Sequence, residues 1–333
     1  MSKTIVVIGV TGLQGSSVAK TFLKFPGWRV RGVTRNPSSP AAQALTADGA
    51  KLFKGDLDDK ASLIPAFEGA TVIFSNTDFF GHFFGSIASS KDDLGGRTPN
   101  QYAFDREVKQ GVNIAEAAAS PVVLKTLEKF VLSSLSDATK WSKGKYTGVY
   151  HNDCKAEMIR VIEARFPEIA ARMSTLQVGH YVTNWKTFPP MAPQKQADGS
   201  FIIQRPWAPD FVLPWVVTHK DTGAFVKALV DSPPGTNLLG TSEDMTMTDW
   251  TKLWGETLGE KASVKQVSYH EFFNGVPDPM KLEFTQAFSN MEEFGYTGGD
   301  PDVLTVEQLG VQIPRTSMEE YIKNEDWSSV LRG

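Results

Sequence analysis

The chain has 333 residues, 41% hydrophobic and 22% charged, which is typical of a soluble globular protein and allows one large or two smaller domains. Its 34 Lys and Arg residues against 38 Asp and Glu residues give a net charge of −4, which argues against a general nucleic-acid binder, because neutralising phosphates takes a basic surface. The single cysteine, Cys154, excludes an internal disulfide and a cysteine-based zinc site and indicates a reducing compartment.

Short apolar strands and helices alternate over the first 135 residues. In chain order, the predicted strands are 4–8, 29–34, 51–54, 71–75 and 129–134, and the predicted helices are 16–25, 60–67 and 101–119. Strands and helices that alternate in this way form right-handed βαβ units. The predicted fold class is therefore α/β, a Rossmann fold with a doubly wound parallel sheet and helices on both faces.

The alternation ends near residue 184. A helix at 151–165 and a strand at 174–178 precede that point, whereas 185–215 carries six prolines, which indicate loops and short strands. Helical spacing returns at 221–229, 247–258 and 279–293.

Two domains are expected from this change. Residues 1–184 form the Rossmann domain, and the helix near 221–229 returns to it. Residues 185–333 form a smaller α+β substrate or lid domain over the carboxyl ends of the strands.

A glycine motif, G-x-x-G-x-x-G, follows the first strand and opens the first helix. Glycines permit a tight turn, let backbone N–H groups approach a pyrophosphate, and allow a helix to pack closely on a sheet. Because the motif lies between a strand and a helix, it favours a dinucleotide site over a plain turn. The predicted cofactor contacts in it are Gly9, Thr11, Gly12, Leu13, Gln14 and Gly15.

Arg35 stands at the end of the second strand, where proteins that bind NAD place an acid against the ribose 2′-hydroxyl. A guanidinium instead binds a 2′-phosphate through two hydrogen bonds. The sequence therefore predicts NADP(H), with a solvated surface arginine as the alternative. Asp56 and Leu57 follow the third strand, where the adenine end would lie; Asp56 is equally consistent with the N-cap of the next helix.

Residues that follow the fourth and sixth strands are expected at the same edge of the sheet, where ligands bind. Those predicted near the nicotinamide half are Asn76, Thr77, Asp78 and Phe79. Those predicted to line a substrate pocket are Phe80, Phe83, Tyr181, Asn184 and Trp185. Aromatic residues cluster in these two segments, and an aromatic-lined pocket for a flat apolar substrate stands against the alternative that they form an interdomain core.

The stretches VIGVTGLQGSSVA, VTRNPSSPAAQAL, KGDLDDKASLIPAFEGATVIF, QGVNIAEAAA, FVLSSLSDATK and HNDCKAEM make the chain similar to the NmrA-like family, atypical members of the short-chain dehydrogenase/reductase superfamily. The resemblance covers residues 1–185 well and the remainder loosely. It implies a Rossmann domain, NADP(H) binding, and either reductase activity or a cofactor-sensing regulatory role.

The same resemblance implies a catalytic set. The wider superfamily uses a Ser after the fifth strand and a Tyr-x-x-x-Lys pair on the next helix; here Ser133 or Ser134 matches the Ser, Lys155 the Lys, and His151 replaces the Tyr. Our candidates for catalysis are Lys155, His151, Ser134 and Tyr181.

The helix geometry bears on two of these candidates. Residues four apart share a helix face, so Lys155 could hold the ribose while His151 supplies a proton; a solvated Lys and a helix N-terminal His are the alternatives.

Two functions remain open from the sequence. One is an oxidoreductase that transfers hydride between NADPH and a small aromatic or conjugated carbonyl compound; the other is a non-catalytic NADP(H) redox sensor that regulates a protein partner. We expect no direct nucleic-acid partner, no metal and no membrane, since the first apolar run, Ile5–Ile8, is too short to span one. The expected location is the cytoplasm, with the nucleus as a second possibility.

Overall fold

The computed structural model describes residues 2–332. The strands are β1 (Lys3–Ile8), β2 (Trp28–Thr34), β3 (Lys51–Lys54), β4 (Val72–Ser75), β5 (Lys129–Ser134), β6 (Met173–Val178), β7 (His180–Tyr181), β8 (Gln194–Lys195), β9 (Phe201–Arg205), β10 (Val212–Val216), β11 (Asn237–Gly240), β12 (Glu243–Thr246), β13 (Ala262–Gln266) and β14 (Val303–Leu304). The helices are α1 (Leu13–Leu23), α2 (Pro40–Ala47), α3 (Ile64–Phe67), α4 (Phe79–Ser86), α5 (Pro99–Ala118), α6 (Pro121–Leu124), α7 (Ala138–Trp141), α8 (Tyr150–Arg165), α9 (Pro167–Ala170), α10 (Thr218–Asp231), α11 (Met247–Leu258), α12 (Tyr269–Phe272), α13 (Asp278–Phe294), α14 (Met318–Asn324) and α15 (Ser328–Leu331).

Eight parallel strands form the main sheet, in the order β14-β11-β6-β5-β4-β1-β2-β3. Side chains along β1 alternate between two cores: Ile5 and Val7 pack on the side of α1 and α10, and Val6 and Ile8 pack on the side of α3 and α5. Apolar residues that are buried on both faces explain why β1 has no polar alternation. The predicted Rossmann fold is confirmed.

Two helices differ from the sequence prediction. The predicted helix at 60–67 is a short 3₁₀ turn, Lys60–Ser62, followed by α3, in which Pro65 stands in the first turn. Proline lacks an N–H and therefore tolerates only the start of a helix. The predicted helices include none in the phenylalanine-rich segment after β4, which forms α4 because the carboxylate of Asp78 caps it by accepting a hydrogen bond from the Gly81 N–H.

The chain after residue 184, together with β7, builds two three-stranded sheets, β12-β10-β7 and β13-β9-β8, around a core rich in tryptophan. It also contributes three elements to the Rossmann part: α10 packs along α1, and β11 and β14 extend the main sheet. The sequence indicates α10 but neither strand, since strands of two and four residues are too short to show a period. The proposed division at residue 184 stays a prediction. Besides α10, two strands from beyond residue 184, β11 and β14, also return to the Rossmann part.

The smaller part lies against the carboxyl ends of β5 and β6. The Tyr296 hydroxyl donates to the Val178 carbonyl at 2.9 Å, and the Ser136 hydroxyl donates to the Thr297 carbonyl at 2.9 Å. None of the helices within residues 2–332 combines the length and the apolar character needed to span a membrane.

Candidate active site

The glycine motif forms a tight turn from β1 into α1. Gly9 has a φ of +63°, a left-handed conformation that favours glycine. A Cβ on Gly15 would lie 2.2 Å from the Gly9 carbonyl oxygen, so only glycine allows α1 to start this close to the strand. Gly12 is the N-cap of α1 and provides no side-chain acceptor. The first N–H groups of an eleven-residue helix are thus available to an anion, as a dinucleotide pyrophosphate requires.

The remaining cofactor candidates near this turn divide by exposure. Thr11, Leu13 and Arg35 are exposed, and Arg35 forms no salt bridge with any residue of the described chain. The Asn76 amide nitrogen lies 3.5 Å from the position of a Cβ on Gly9, which places this side chain beside the turn. These positions fit a dinucleotide that runs from α1 toward the end of β2.

The Asp56 loop has a local structural role. The Asp56 carboxylate accepts a hydrogen bond from the Asp58 N–H at 3.0 Å, and the N-cap of the following 3₁₀ turn is Asp59. The alternative that Asp56 caps that element is therefore wrong, because its side chain closes a turn with Asp58 and the N-cap, Asp59, stands three residues after it. The Leu57 carbonyl accepts from Asn113 at 2.8 Å, which holds the loop on α5.

Lys155 lies in a buried polar cluster at the sheet edge. Its ammonium donates to the Thr77 hydroxyl at 2.8 Å and forms a salt bridge with Glu107, whose side chain has no exposed surface. The Thr77 hydroxyl also donates to Glu107, at 2.7 Å. The charge of Lys155 is thus neutralised inside the protein, and Thr77 is engaged there rather than at the surface.

Cys154 completes this cluster. Its thiol donates to the second Glu107 oxygen at 2.7 Å. Burial, followed by the charge of Glu107, raises the pKa of the Cys154 thiol well above its usual value. The thiol therefore stays protonated, which excludes it as a nucleophile at neutral pH.

Glu283 holds His151 from the far end of the sequence. The His151 backbone N–H and ring Nδ1 lie 2.9 and 2.6 Å from Glu283 Oε1, and the Asn100 amide donates to Oε2 at 2.8 Å. A carboxylate only accepts hydrogen bonds, so Nδ1 carries the proton of this pair and Nε2 is the nitrogen left for other partners. The ring also packs against Phe79 and Phe80, with centroids 6.0 and 5.2 Å apart.

A second hydrogen-bonded chain links the glycine turn to Tyr181. The Ser133 hydroxyl donates to Gln14 Oε1 at 2.8 Å, and Gln14 Nε2 donates to the Tyr181 hydroxyl at 2.7 Å. Burial raises the pKa of Tyr181 to about 12, so its phenol is protonated at neutral pH. Ser134 bonds the Leu135 carbonyl at 3.3 Å instead. Of the two serines considered from the sequence, the structure brings Ser133 into contact with the predicted cofactor residues.

The aromatic pocket candidates separate into two groups. Phe80 is half-buried and stacks on Phe284 at 5.8 Å, and Phe284 in turn lies 5.5 Å from Phe188. The two aromatic segments therefore meet through a ring of α13. Phe83 lies on the buried side of α4, and Trp185 stacks on Trp327 inside the C-terminal core, with ring centroids 4.6 Å apart.

Asn184 is half-buried, and its carbonyl accepts the N–H of Phe188 at 3.0 Å. Phe80, Tyr181 and Asn184 therefore offer surface to a ligand, whereas Phe83 and Trp185 are buried.

Two residues of this site, Glu107 and Glu283, were missed by reasoning from the sequence. Glu107 shares the buried stripe of α5 with Ala103, Gly111 and Ile114, and a lone acid on such a stripe is the signal that could have found it. Glu283 is likewise a buried acid of α13. Within residues 2–332 there is no group of three or more His, Cys, Asp or Glu side chains arranged to hold a metal ion.

A parallel sheet with a glycine turn at its carboxyl edge defines the dinucleotide-binding class of Rossmann folds. The chain belongs to the NmrA-like family, whose sequence pattern matches residues 1–323. It is 29% identical to the NmrA-like family domain-containing oxidoreductase hkm9 of Aspergillus hancockii over 315 residues, 90% of this chain and 84% of the relative.

Two solved structures share the fold. One is Nmra, a negative transcriptional regulator, with a TM-score of 0.74, 20% identity, and coverage of 99% of this chain and 97% of the other. The other is the NADPH-dependent quinone oxidoreductase QOR2 of Escherichia coli in complex with NADPH, with a TM-score of 0.64, 18% identity, and coverage of 96% and 98%.

Proposed function

We propose that the protein is an oxidoreductase that transfers hydride between NADPH and a small aromatic or conjugated carbonyl compound. The observation that carries this proposal is the arrangement at the carboxyl edge of the sheet: Tyr181 is bonded to Gln14 at the uncapped N-terminus of α1, and His151 packs against Phe79 and Phe80, which follow β4. The oxidoreductase name of the hkm9 relative and the NADPH bound to the quinone oxidoreductase of the same fold support it.

The residues at this edge fit a dinucleotide. The first N–H groups of α1 would hold the pyrophosphate, and the free guanidinium of Arg35 would hold the 2′-phosphate. Asn76, beside Gly9, would reach the nicotinamide half. Bound there, NADPH supplies the hydride, and the protein has to orient the carbonyl compound and deliver one proton to its oxygen.

His151 is the proposed proton donor. Its Nδ1–H is fixed on Glu283, so its ring cannot rotate freely and Nε2 is presented in one direction. In the doubly protonated imidazolium, Nε2–H would give its proton to the substrate oxygen and leave a neutral ring with Nδ1–H still on Glu283. The half-buried ring of Phe80 packs on the imidazole and offers an aromatic wall for a flat substrate. Tyr181, protonated and held by Gln14, would donate a hydrogen bond to the same carbonyl oxygen.

Lys155 has a different role from the one that the superfamily pattern implies. Because Glu107 neutralises its ammonium, its charge does little to lower the pKa of a neighbour. Its contact with Thr77 joins α8 to the end of β4. We therefore assign Lys155 to positioning the site.

The test combines cofactor binding with turnover. Purified protein should quench or enhance NADPH fluorescence and oxidise NADPH with members of a panel of quinones, enones, imines and aldehydes. Arg35→Glu should weaken NADPH binding about 10- to 100-fold, because it removes a charge-assisted contact of about 1.5–3 kcal/mol with the 2′-phosphate. The affinity for NADH, which has no 2′-phosphate, should stay unchanged. Arg29→Glu, an exposed arginine near the start of β2, is the control. Protein that binds NADPH but turns over no member of the panel would contradict the enzymatic part.

The second candidate is a non-catalytic NADP(H) sensor that reports to a protein partner. It is favoured by the neutralised Lys155 and by the shared fold with Nmra, a negative transcriptional regulator. A partner captured from lysate with NADP+ but not with NADPH, or the reverse, would support it over the enzyme. Cys154 is a free thiol, which favours a reducing location such as the cytoplasm or nucleus for either function.

A further inference from the structure

Arg205 is a buried cation without a counter-charge. It ends β9 and is 4% exposed, and its guanidinium donates to two backbone carbonyls, those of Gln204 at 2.7 Å and Met191 at 2.9 Å. Burial alone lowers the pKa of Arg205, to about 9, and no carboxylate of residues 2–332 pairs with it. The group still carries its charge at pH 7. The guanidinium carbon lies 5.7 Å from the centroid of the Trp207 ring, a cation–π contact that offsets part of the cost of burial but supplies no full counter-charge. A buried charge is costly unless it is paired, so this site calls for a negative partner.

A small cavity adjoins the guanidinium. Its volume is about 10 Å³, and the residues that line it include Arg205, Trp250, Trp215, His180, Tyr181 and Asn184. Two buried donors of the lining residues have no acceptor: Nε of Arg205 and Nε1 of Trp250. A volume of this size admits a single atom or one water molecule and excludes larger ions.

The surroundings favour an anion over a cation. No Asp or Glu is among the residues that line the cavity, and His180 meets Trp215 edge to face at 5.2 Å. Burial, followed by the charge of Arg205, lowers the pKa of His180 to about 3, so the imidazole is neutral and does not compete as a second cation. The cavity thus combines one full positive charge with unused N–H donors and no acid.

We propose that this cavity binds a small monovalent anion of halide size, held by Arg205 and Trp250. Tyr181 and Asn184, which belong to the proposed substrate site, also line this cavity, but Arg205 and Trp250, which would hold the anion, have no part in the proposed redox function. The anion would supply the counter-charge that the fold of the smaller part lacks.

Thermal unfolding of the full chain tests this at constant ionic strength. Replacing sodium gluconate, whose anion is too large to enter, by sodium chloride or bromide should raise the Tm by about 2 °C or more, with saturation. Arg205→Met should abolish the response. Arg172→Met should keep it, because Arg172 also donates to two backbone carbonyls but lies outside the cavity.

A milder variant guards against a misfolded Arg205→Met. Trp250→Phe keeps the ring and removes one donor, so the chloride concentration for half of the Tm rise should increase about tenfold or more. Crystals soaked in sodium bromide should show an anomalous peak beside Arg205. Equal Tm values in chloride and gluconate, a response that persists in Arg205→Met, or only a water molecule at the guanidinium in bromide-soaked crystals would each overturn the proposal.

Discussion

Two fully buried glutamates hold the two basic side chains on one face of α8. Glu107 of α5 pairs with Lys155, and Glu283 of α13 pairs with His151. Both carboxylates have no exposed surface, so each pair stabilises only while both members are present. We expect different effects from breaking the two pairs, since His151 is the proposed proton donor and Lys155 only positions the site.

Glu107→Gln should strongly destabilise the protein. It leaves the Lys155 ammonium buried without a counter-charge, which costs about 3–5 kcal/mol in the free energy of unfolding. Denaturant unfolding measures this loss, and the double variant Glu107→Gln with Lys155→Met should recover most of it. Glu116→Gln on the same helix, which breaks an exposed pair with Lys60, should cost less than about 1 kcal/mol. Equal losses for the two glutamates would contradict the buried pair.

Glu283→Gln should act on catalysis rather than on cofactor binding. An amide can accept from Nδ1 but carries no charge to stabilise a protonated imidazole, so kcat should fall about tenfold or more and the alkaline limb of the pH profile, where the proton donor loses its proton, should move to lower pH. The NADPH dissociation constant should stay unchanged. Asp278→Asn, an exposed acid of the same helix, is the matched control. A parallel fall in NADPH affinity, with an unaltered pH profile, would reduce Glu283 to a structural role.

At the scale of elements, the β1–α1 turn and the Asp78-capped α4 show how local chemistry sets a site. Gly15 allows α1 to begin against the Gly9 carbonyl, and Asp78 caps the helix that brings Phe79 and Phe80 onto His151. Both effects arise from one residue at an element boundary. The turn is the easier of the two to test.

Gly15→Ala should disrupt this turn. The added methyl would lie 2.2 Å from the Gly9 oxygen, so the helix start has to shift, at a cost of about 1–3 kcal/mol and at least about a tenfold loss in NADPH affinity. Gly85→Ala is the control, because a Cβ at that α4 position meets nothing within 4 Å. Fluorescence titration with NADPH and thermal unfolding measure the two effects. Unchanged NADPH binding in Gly15→Ala would remove the turn from the cofactor site.

At the scale of the molecule, the smaller part is held together by stacked indoles. Trp327 near the C-terminus lies 4.6 Å from Trp185 and 5.6 Å from Trp254, and its indole N–H donates to the Ile322 carbonyl. The last turns of the chain therefore close the core around which β9, β10 and α11 pack. More of the aromatic residues in the segment after β6 pack in this core than face a pocket.

Trp327→Ala should lower the free energy of unfolding without changing the cofactor site at the sheet edge. Loss of a buried Trp costs about 3–5 kcal/mol, which a large drop in Tm would report, whereas NADPH affinity at 10 °C should be retained in the folded fraction. Phe84→Ala, an exposed ring of α4, should change the free energy of unfolding by less than about 1 kcal/mol. A Tm equal to that of the unmodified protein would show that the core does not depend on its C-terminal residues.

The sequence by itself determined the features that depend on neighbours along the chain. Apolar periods predicted the strands and helices of the Rossmann part, and the spacing of strand, glycines and helix predicted the turn from β1 into α1. The place of Arg35 after β2 follows from the same register. These features need no knowledge of distant residues, because backbone geometry and helix capping act over a few positions.

Only the tertiary structure decided which side chains meet. Glu107 and Lys155 are 48 positions apart, and Glu283 and His151 are 132 apart, so no local period connects them. Ser133 and Ser134 point to opposite faces of β5, and only the placement of Gln14 shows which one is in contact with the site. Buried charges select their partners by proximity in the folded core, where low polarity makes pairing necessary, and that proximity is a property of the whole fold.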